Sequence, residues 1–357
     1  MFAIMTISFW MTRTAPGGPF DRENRLDATV EANLWVHHGL AERINSEHQG
    51  VVERWLVPAG ADVKYDDILL TFEGGQALRA PWSGQLINHQ VRAGESIKLG
   101  EVFATIELPW IQQYTHSVTR YLKLEFGPSF QYPDRNVEDM IRGTFPVSME
   151  LGLWSLLLAL ILGISTGVFA GLRADSITDQ VVMGLAMTWV SLSTVVLGPL
   201  LLLVFAVHLQ WVDFGGWSTA SSKILPVLTL GLVFAANIAR LTRTGVIEAR
   251  SSRFVMGARA RGLSEFRIIW RHILPAALIP LLAYLGPACA ALLCGSVVVE
   301  RVFNIPGVSE FFVSGALNRD YPLMMGIVML YSGLLISFNL VTDSLHEWLD
   351  PRVGQYE

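Results

Sequence analysis

Residues 246 to 275, VIEARSSRFVMGARARGLSEFRIIWRHILP, form an arginine-crowded island between two long apolar segments. The island holds Arg250, Arg253, Arg259, Arg261, Arg267 and Arg271, with Arg240 and Arg243 just upstream, against Glu248 and Glu265. Basic loops resist translocation, so this bias marks the cytoplasmic side of a chain threaded through a bilayer. Composition agrees: 52% of residues are hydrophobic and 16% charged, where a soluble domain carries about a quarter charged residues. The net charge of -5 conceals a split, with acids gathered in the first 145 residues and arginines in the island. No basic tract interleaved with aromatics appears elsewhere, so no nucleic-acid partner is expected.

Apolar segments at about 147–172, 181–209, 224–240, 276–299 and 323–345 are each long enough to cross a bilayer as a helix. Pro146 suits the start of the first of them. With the island inside, counting back places residues 13–145 on the outer side. The turn from Arg173 to Asp179 and the tail at Arg352 then fall inside, and Trp211, Trp217 and Tyr321 stand near external boundaries as interfacial anchors. Residues 1–12, MFAIMTISFWMT, are apolar but end at Arg13, short of the roughly 17 residues a span needs. They read as part of a first transmembrane helix whose beginning lies upstream. The expected organisation is this partial helix at 1–12, an external region at 13–145, a five-helix core at 146–350 with a cytoplasmic loop at 241–275, and a cytoplasmic tail at 351–357.

The external region opens on the helix-incompatible APGGP at 15–19. Within it, residues 57–73 and 91–107 match at an offset of 34, with Val57/Val91, Ala59/Ala93, Gly60/Gly94, Lys64/Lys98, Thr71/Thr105 and Glu73/Glu107 identical. A repeated strand-turn-strand unit, too short to be stable alone, buries its apolar face on its twin as a small pseudo-symmetric β-sandwich. The pattern resembles the biotinyl/lipoyl carrier fold, a barrel-sandwich hybrid, over about 49–108, with APWSG at 80–84 in the place of the carriers' A-P-x-x-G turn. Carriers display a modifiable lysine on the hairpin between halves; here that hairpin reads GGQALR at 74–79 and has none. Lys64 and Lys98 lie away from the tip, so no covalent cofactor is expected and the module reads as a spacer or docking knob.

In the island, residues 251–261 read as a short helix whose first N–H groups Ser251 or Ser252 can cap, and Gly262 fits the left-handed position that ends it. A second helix is expected from Ser264 to Leu274, where Pro275 opens the next span. A helix-Gly-helix bracket in the cytoplasm is a docking element. Residues 254–275 resemble the conserved cytoplasmic loop of binding-protein-dependent ABC importers, in the form found in oligopeptide and dipeptide permease subunits. Ala258, Gly262, Leu274 and Pro275 fill that pattern, and GARARGL at 257–263 is close to the peptide-permease variant T-A-R-A-K-G-L, while Met256, Gly257 and His272 depart from it. TISFWMTRTAPGGPF at 6–20, YLKLEFGPSF at 121–130, FPVSMELG at 145–152, GALNRDYPLMMG at 315–326 and the ending at Asp350, Pro351 and Arg352 resemble the same family.

The resemblance implies an all-α polytopic permease fold in the bacterial inner membrane, from which the small inserted periplasmic β-sandwich is a departure. It implies partners: a second permease subunit, two ATPase subunits, a periplasmic substrate-binding protein and the lipid bilayer. Ser252, Arg253, Phe254, Val255, Met256, Gly257, Ala258, Arg259, Ala260, Arg261 and Gly262 carry over as the helix that couples to the ATPase. No Walker A sequence occurs, so ATP and Mg are expected on the partner subunits, with no cofactor on this chain. The chain is then a transport subunit rather than an enzyme. The competing class is a membrane-anchored scaffold or efflux-type adaptor whose β module is the working part.

Polar residues within the apolar segments have two readings, helix-to-helix hydrogen bonding or a conduit. Thr188, Ser191, Ser193 and Thr194, followed by a break at Gly198 and Pro199, and Asn237 are the candidates for a translocation surface. GISTG at 163–167 fits the nucleophile-elbow string but lies inside a spanning segment, so Gly163 and Gly167 read as a small-residue packing face. His37, His38 and His346 lack clustered ligands, so no metal is expected. Cys289 and Cys294 fall on different faces of one helix and read as unpaired.

Overall fold

The computed structural model describes Ala3, Thr6, Ile7, Phe9, Trp10 and residues 28–132, 134–293 and 297–349. Most of the 1–12 segment, the APGGP stretch, Cys294 and the 351–357 tail lie outside the described residues. Two compact units are present: residues 1–140 with 315–326, and residues 141–314 with 327–357.

In the first unit, α1 (Ala28–His37) leads into eight strands: β1 (Ala41–Asn45), β2 (Gly50–Trp55), β3 (Asp62–Val63), β4 (Ile68–Phe72), β5 (Ala77–Arg79), β6 (Gly84–His89), β7 (Ser96–Ile97) and β8 (Val102–Glu107). They make two four-stranded antiparallel sheets, β1-β8-β6-β3 and β5-β4-β2-β7. A shift of 34 residues exchanges β1 with β5, β2 with β6, β3 with β7 and β4 with β8, and so turns one sheet order into the other. Residues of both sheets, among them Leu69, Leu70, Phe72, Leu86, Phe103 and Ile106, fill one core; alternation along a strand sends every second side chain to one face, and the register shift between Ile68 and Leu70 accompanies the burial of two neighbouring leucines.

The twofold relation extends to single hydrogen bonds. Gly60 N donates to Leu86 O (2.6 Å) and its twin Gly94 N to Val52 O (2.8 Å); both glycines sit at φ near +90°, where a Cβ is strained. Trp55 Nε1 donates to Val91 O at 2.9 Å, and its counterpart His89 Nε2 to Val57 O at 3.0 Å. The two rings stack at 3.9 Å. The module closes on itself: Ala41 pairs with Glu107, and Leu108 N donates to Leu40 O at 2.9 Å.

After the module, α2 (Trp110–Leu122) follows, and the segment at 126–132 is fastened by two buried or half-buried acids. Glu138 Oε1 accepts from Gly127 N at 3.2 Å and also from Phe126 N. Asp320, fully buried, accepts from Gln131 N (3.1 Å), Leu323 N (3.2 Å) and the Ser129 hydroxyl.

The second unit is helical: α3 (Val137–Leu172), which starts in the first unit, then α4 (Ile177–Ser191), α5 (Thr194–Leu201), a π-helical stretch (Leu202–His208), α6 (Ala220–Ser251), α7 (Arg253–Ala260), α8 (Glu265–Ile268), a π-helical stretch (Ile269–Ile273), α9 (Leu274–Leu293), α10 (Val297–Val302), α11 (Val308–Leu317) and α12 (Tyr321–Leu349). Among the described residues four helical runs are long and apolar enough to span a membrane, and a fifth if the bent pair α4 and α5 is one span.

Several sequence expectations give way here. Pro146 lies inside α3 rather than at its start; Glu138 and Asp139 in the first turn at Val137 favour the positive end of the helix dipole. The 181–209 segment breaks at Leu192 and Ser193, both extended, and its halves bend by 99°. Gly198 and Pro199 are not the break; they sit within α5, and the widened π turns follow them. The third and fourth spans reach far into the island, to Ser251 and from Glu265. Pro275 does not open the fourth: it lies inside the helical run, preceded by π turns that absorb its missing N–H.

Candidate functional site

The short helix α7 is set off from α6 by one extended residue, Ser252 (φ -70°, ψ 151°). Neither Ser251 nor Ser252 caps α7: their hydroxyls donate back to Glu248 O (2.9 Å) and Ala249 O (2.6 Å). Serine so close to the end of a long helix finds a free carbonyl of that helix nearer than the amides ahead. At the other end Gly262 has φ +75°, Gly262 N donates to Arg259 O (2.9 Å) and Leu263 N to Ala258 O (3.3 Å), the paired bonds of a Schellman stop. Arg259 and Glu265 pair across that turn at 2.8 Å.

Val255 and Ala258, one turn apart, are the buried side of α7 and join Val246, Ala249, Ile268, Ile273 and Ala277 in one apolar cluster. The opposite side carries Arg253, Phe254, Met256, Gly257 and Arg261, all exposed, and beyond the turn Phe266 and Trp270 are exposed as well, their rings 6.1 Å apart. Trp270 escaped the sequence reading, although an aromatic four residues after Phe266 inside a basic stretch signals one helix face. The result is a cationic surface with large apolar side chains standing out of it, on a helix fixed from behind.

What fixes it is the end of the helical unit around α6. Arg243 donates from Nε and Nη2 to Asp179 Oδ1 and Oδ2 at 2.7 and 2.6 Å, and Asp179 is 1% exposed. Asp175 N adds a third bond at 3.0 Å. Arg250 Nη1 donates to Leu172 O at 2.6 Å. Backbones approach closely along the same side: a Cβ on Gly167 would meet Ala239 O at 2.5 Å, one on Gly171 the Val246 side chain at 2.7 Å, and one on Gly245 Ala277 O at 2.4 Å. Removing one partner of a buried pair such as Asp179–Arg243 costs about 3–5 kcal/mol, since the other charge stays desolvated.

Among the candidates for a translocation surface, Thr188, Ser193 and Asn237 bond locally, within their own helix or its cap. Thr188 donates to Gly184 O at 2.9 Å, as hydroxyls within helices do. Ser191 ends α4, and its side chain lies outside the described residues. Ser193 accepts from Val195 N at 3.3 Å and caps α5, and Thr194 begins that helix. Asn237 lies on α6, its Nδ2 donating to Val233 O at 3.3 Å. Thr188, Ser193 and Thr194 thus flank the 99° bend. Near α11 a buried carboxylate went unnoticed in the sequence: Glu300 accepts from the Ser148 hydroxyl (2.9 Å) and Ser309 N (3.0 Å), an isolated acid in the apolar run SVVVE. A cleft of about 540 Å³ lies beside it, lined by Trp217, Asn304, Pro306 and Glu310 among others. Among the described residues no three His, Cys, Asp or Glu side chains converge as metal ligands would.

Residues 163–355 match the family described as binding-protein-dependent transport system inner membrane component. The chain belongs to that family. It is a multi-pass permease subunit of an ABC importer in the inner membrane, and as such works with a second permease, ATPase chains and a binding protein. This favours the permease over the scaffold reading, and makes the chain a transport subunit, with ATP hydrolysis belonging to partner chains. It is 36% identical over 355 residues to the oligopeptide transport system permease protein OppB of Salmonella typhimurium, covering 99% of this chain and 94% of that protein. The protein of the same name from Haemophilus influenzae is 41% identical over 261 residues, which is 71% of this chain but 85% of that one, so this permease is the longer. The dipeptide transport system permease protein DppB of Bacillus subtilis is 36% identical over 271 residues, 76% of this chain and 88% of its own. Among solved structures, an inward-facing MetNI methionine ABC transporter chain superposes with a TM-score of 0.51 at 16% identity, over 59% of this chain and 96% of that one, a likeness of fold.

Proposed function

We propose that this permease forms half of the translocation path for peptides and is driven through residues 252–262. The observation that carries the reading is the match to OppB across 99% of the chain, joined to a short helix held from behind by Val255 and Ala258 and displaying Phe254, Met256, Arg253 and Arg261. A cleft on an ATPase chain that accepts such a helix gains apolar burial and charge pairing together. ATP and Mg act on the ATPase pair, whose closure pushes α7. Because α7 is packed onto α6 and α9, and α6 is in turn tied to α4 by the Asp179–Arg243 pair, that push moves the helix ends as one body, and the bend at Leu192 and Ser193 is where the path yields. Thr188, Ser191, Ser193 and Thr194 border the yielding region, with Asn237 on the neighbouring helix α6.

The β module is proposed as an insertion of biotinyl/lipoyl-like type on the periplasmic side. Its twofold strand exchange, its meeting ends at Leu40 and Leu108 and the greater length of this chain than the Haemophilus relative all support that reading. The hairpin tip at Gly74 and Gly75 offers no lysine, so the module docks rather than carries, with the binding protein or the partner permease as its contact. Gly262→Pro, or deletion of residues 254–261, should abolish peptide uptake while the chain still inserts and accumulates in the membrane. Normal uptake by such a variant overturns the coupling role.

A further inference from the structure

We infer that α2 lies on the lipid surface of the outer leaflet and seats the β module there, an inference that rests on the external placement of residues 13–145. Around the α2 wheel, Trp110, Tyr114, Val118, Tyr121, Ile111 and Leu122 occupy one continuous arc, at the 3.6-residue period of an amphipathic helix. A surface helix of a globular unit turns such an arc inward. Here the fully buried positions are instead the polar Gln113 and Ser117, while Tyr114, Val118 and Tyr121 in the middle of the arc are half-buried and Trp110, Ile111 and Leu122 at its ends stand out.

Those polar groups are held by the unit itself. Gln113 Nε2 donates to Leu108 O at 2.6 Å and Glu107 Oε1 at 3.1 Å, and Arg120 Nη1 donates to His37 O at 2.8 Å. The rotation is therefore fixed by hydrogen bonds that a helix turned apolar-side-in could not make. It leaves Trp110 66%, Ile111 58% and Leu122 68% exposed, with Leu124 just beyond at 61%. Large apolar side chains set together in this way require an apolar environment.

Three observations name that environment as lipid. First, the arc carries Trp and Tyr, whose apolar bodies and polar tips suit the headgroup boundary. Second, α2 itself contains no Asp or Glu, the nearest being Glu107 and Glu125 beyond its two ends, and the exposed Lys123 beside Leu122 is complementary in sign to anionic phospholipid headgroups. Third, the arc continues into the apolar stretch that opens the chain: the Thr6 and Tyr114 hydroxyls lie 2.8 Å apart, and the Phe9 ring meets Tyr114 edge-on at 5.3 Å. Since Leu108 ends the module and Pro109 precedes α2 directly, a helix lying on lipid fixes the module's height above the bilayer.

The test uses the full permease complex in vesicles of phosphatidylethanolamine and phosphatidylglycerol, with Cys289→Ala and Cys294→Ala and a nitroxide attached at Ile111→Cys, Leu122→Cys or Thr119→Cys in turn. Collision rates with molecular oxygen and with a water-soluble nickel chelate report lipid and water respectively. Positions 111 and 122 should show a several-fold excess of oxygen over nickel relative to position 119. An excess that grows when phosphatidylglycerol is raised supports the charge argument. Equal access of nickel at all three positions overturns the inference, and so does low access of both reagents at 111 and 122, which would mark a protein partner. Uptake that persists in the labelled variants keeps the result separate from the transport assignment.

Discussion

In the β module the main long-range backbone bonds have a twin 34 residues away, so the bond at Gly60 is repeated at Gly94, and the side-chain bond of Trp55 to Val91 O is answered by that of His89 to Val57 O. At the junction behind α7 nothing is repeated: one ion pair, Asp179–Arg243, the Arg250–Leu172 bond, one apolar cluster and a few close-packed glycines hold α3, α4, α6 and α9 together. Duplication spreads stability over many equivalent contacts, and a single loss is local. A junction whose single ion pair has no twin concentrates it, which suits an element that must transmit force as a unit. The two regions should therefore respond very differently to single substitutions.

The largest effect is expected at the junction. Arg243→Ala should cost about 3–5 kcal/mol and lower the melting temperature of the detergent-extracted complex sharply, with uptake lost. The exchange Asp179→Arg with Arg243→Asp should regain part of that; a single variant that melts with the parent would dissolve the contrast. Next comes the module core, where Leu70→Ala should cost about 2–5 kcal/mol, seen as faster amide exchange confined to the two sheets. Spread of that exchange into α6 would show that the regions are not independent.

A smaller effect is set by pH. Burial first, then the Arg120 charge and His37, lowers the His38 pKa from 6.5 to about 3. The folded form thus resists a proton that the unfolded chain accepts below 6.5, so His38 contributes its full stability above that pH and loses it as pH falls towards 3. Acidification to pH 5 should destabilise the first unit by about 2 kcal/mol, read by amide exchange of α1, and His38→Gln should flatten that dependence. A dependence of opposite sign would mean that His38 is charged in the fold. The smallest effect is expected at Gly262→Ala, where φ +75° costs a side chain roughly 1 kcal/mol. It should lower the rate of uptake only modestly, in contrast to Gly262→Pro.

Sequence reasoning saw the island and the 34-residue repeat because both are written in residue type: arginines that cannot cross, and Gly turns that recur. β2 and β6 share only Gly50 and Gly84, with Trp55 facing His89, so the full extent of the twofold relation became visible only from the strand pairing. The 99° bend was hidden because Leu192 and Ser193 are compatible with a helix, whereas Gly198 and Pro199, which looked like breakers, are accommodated by π turns. The Asp179–Arg243 pair joins residues 64 positions apart, and nothing local in either stretch announces it. Val255 and Ala258 as the buried side of α7 follow from helical spacing, but which side of so short a basic helix faces inward is decided by α6 and α9.

Native mass spectrometry of the detergent-extracted complex, expressed with its neighbouring genes, tests the central claim most directly. The account predicts one copy of this chain with one related permease and two ATPase copies, and loss of the ATPase copies when residues 254–261 are deleted. A homo-oligomer without a nucleotide-binding partner, or an ATPase retained undiminished by the deletion, would contradict it.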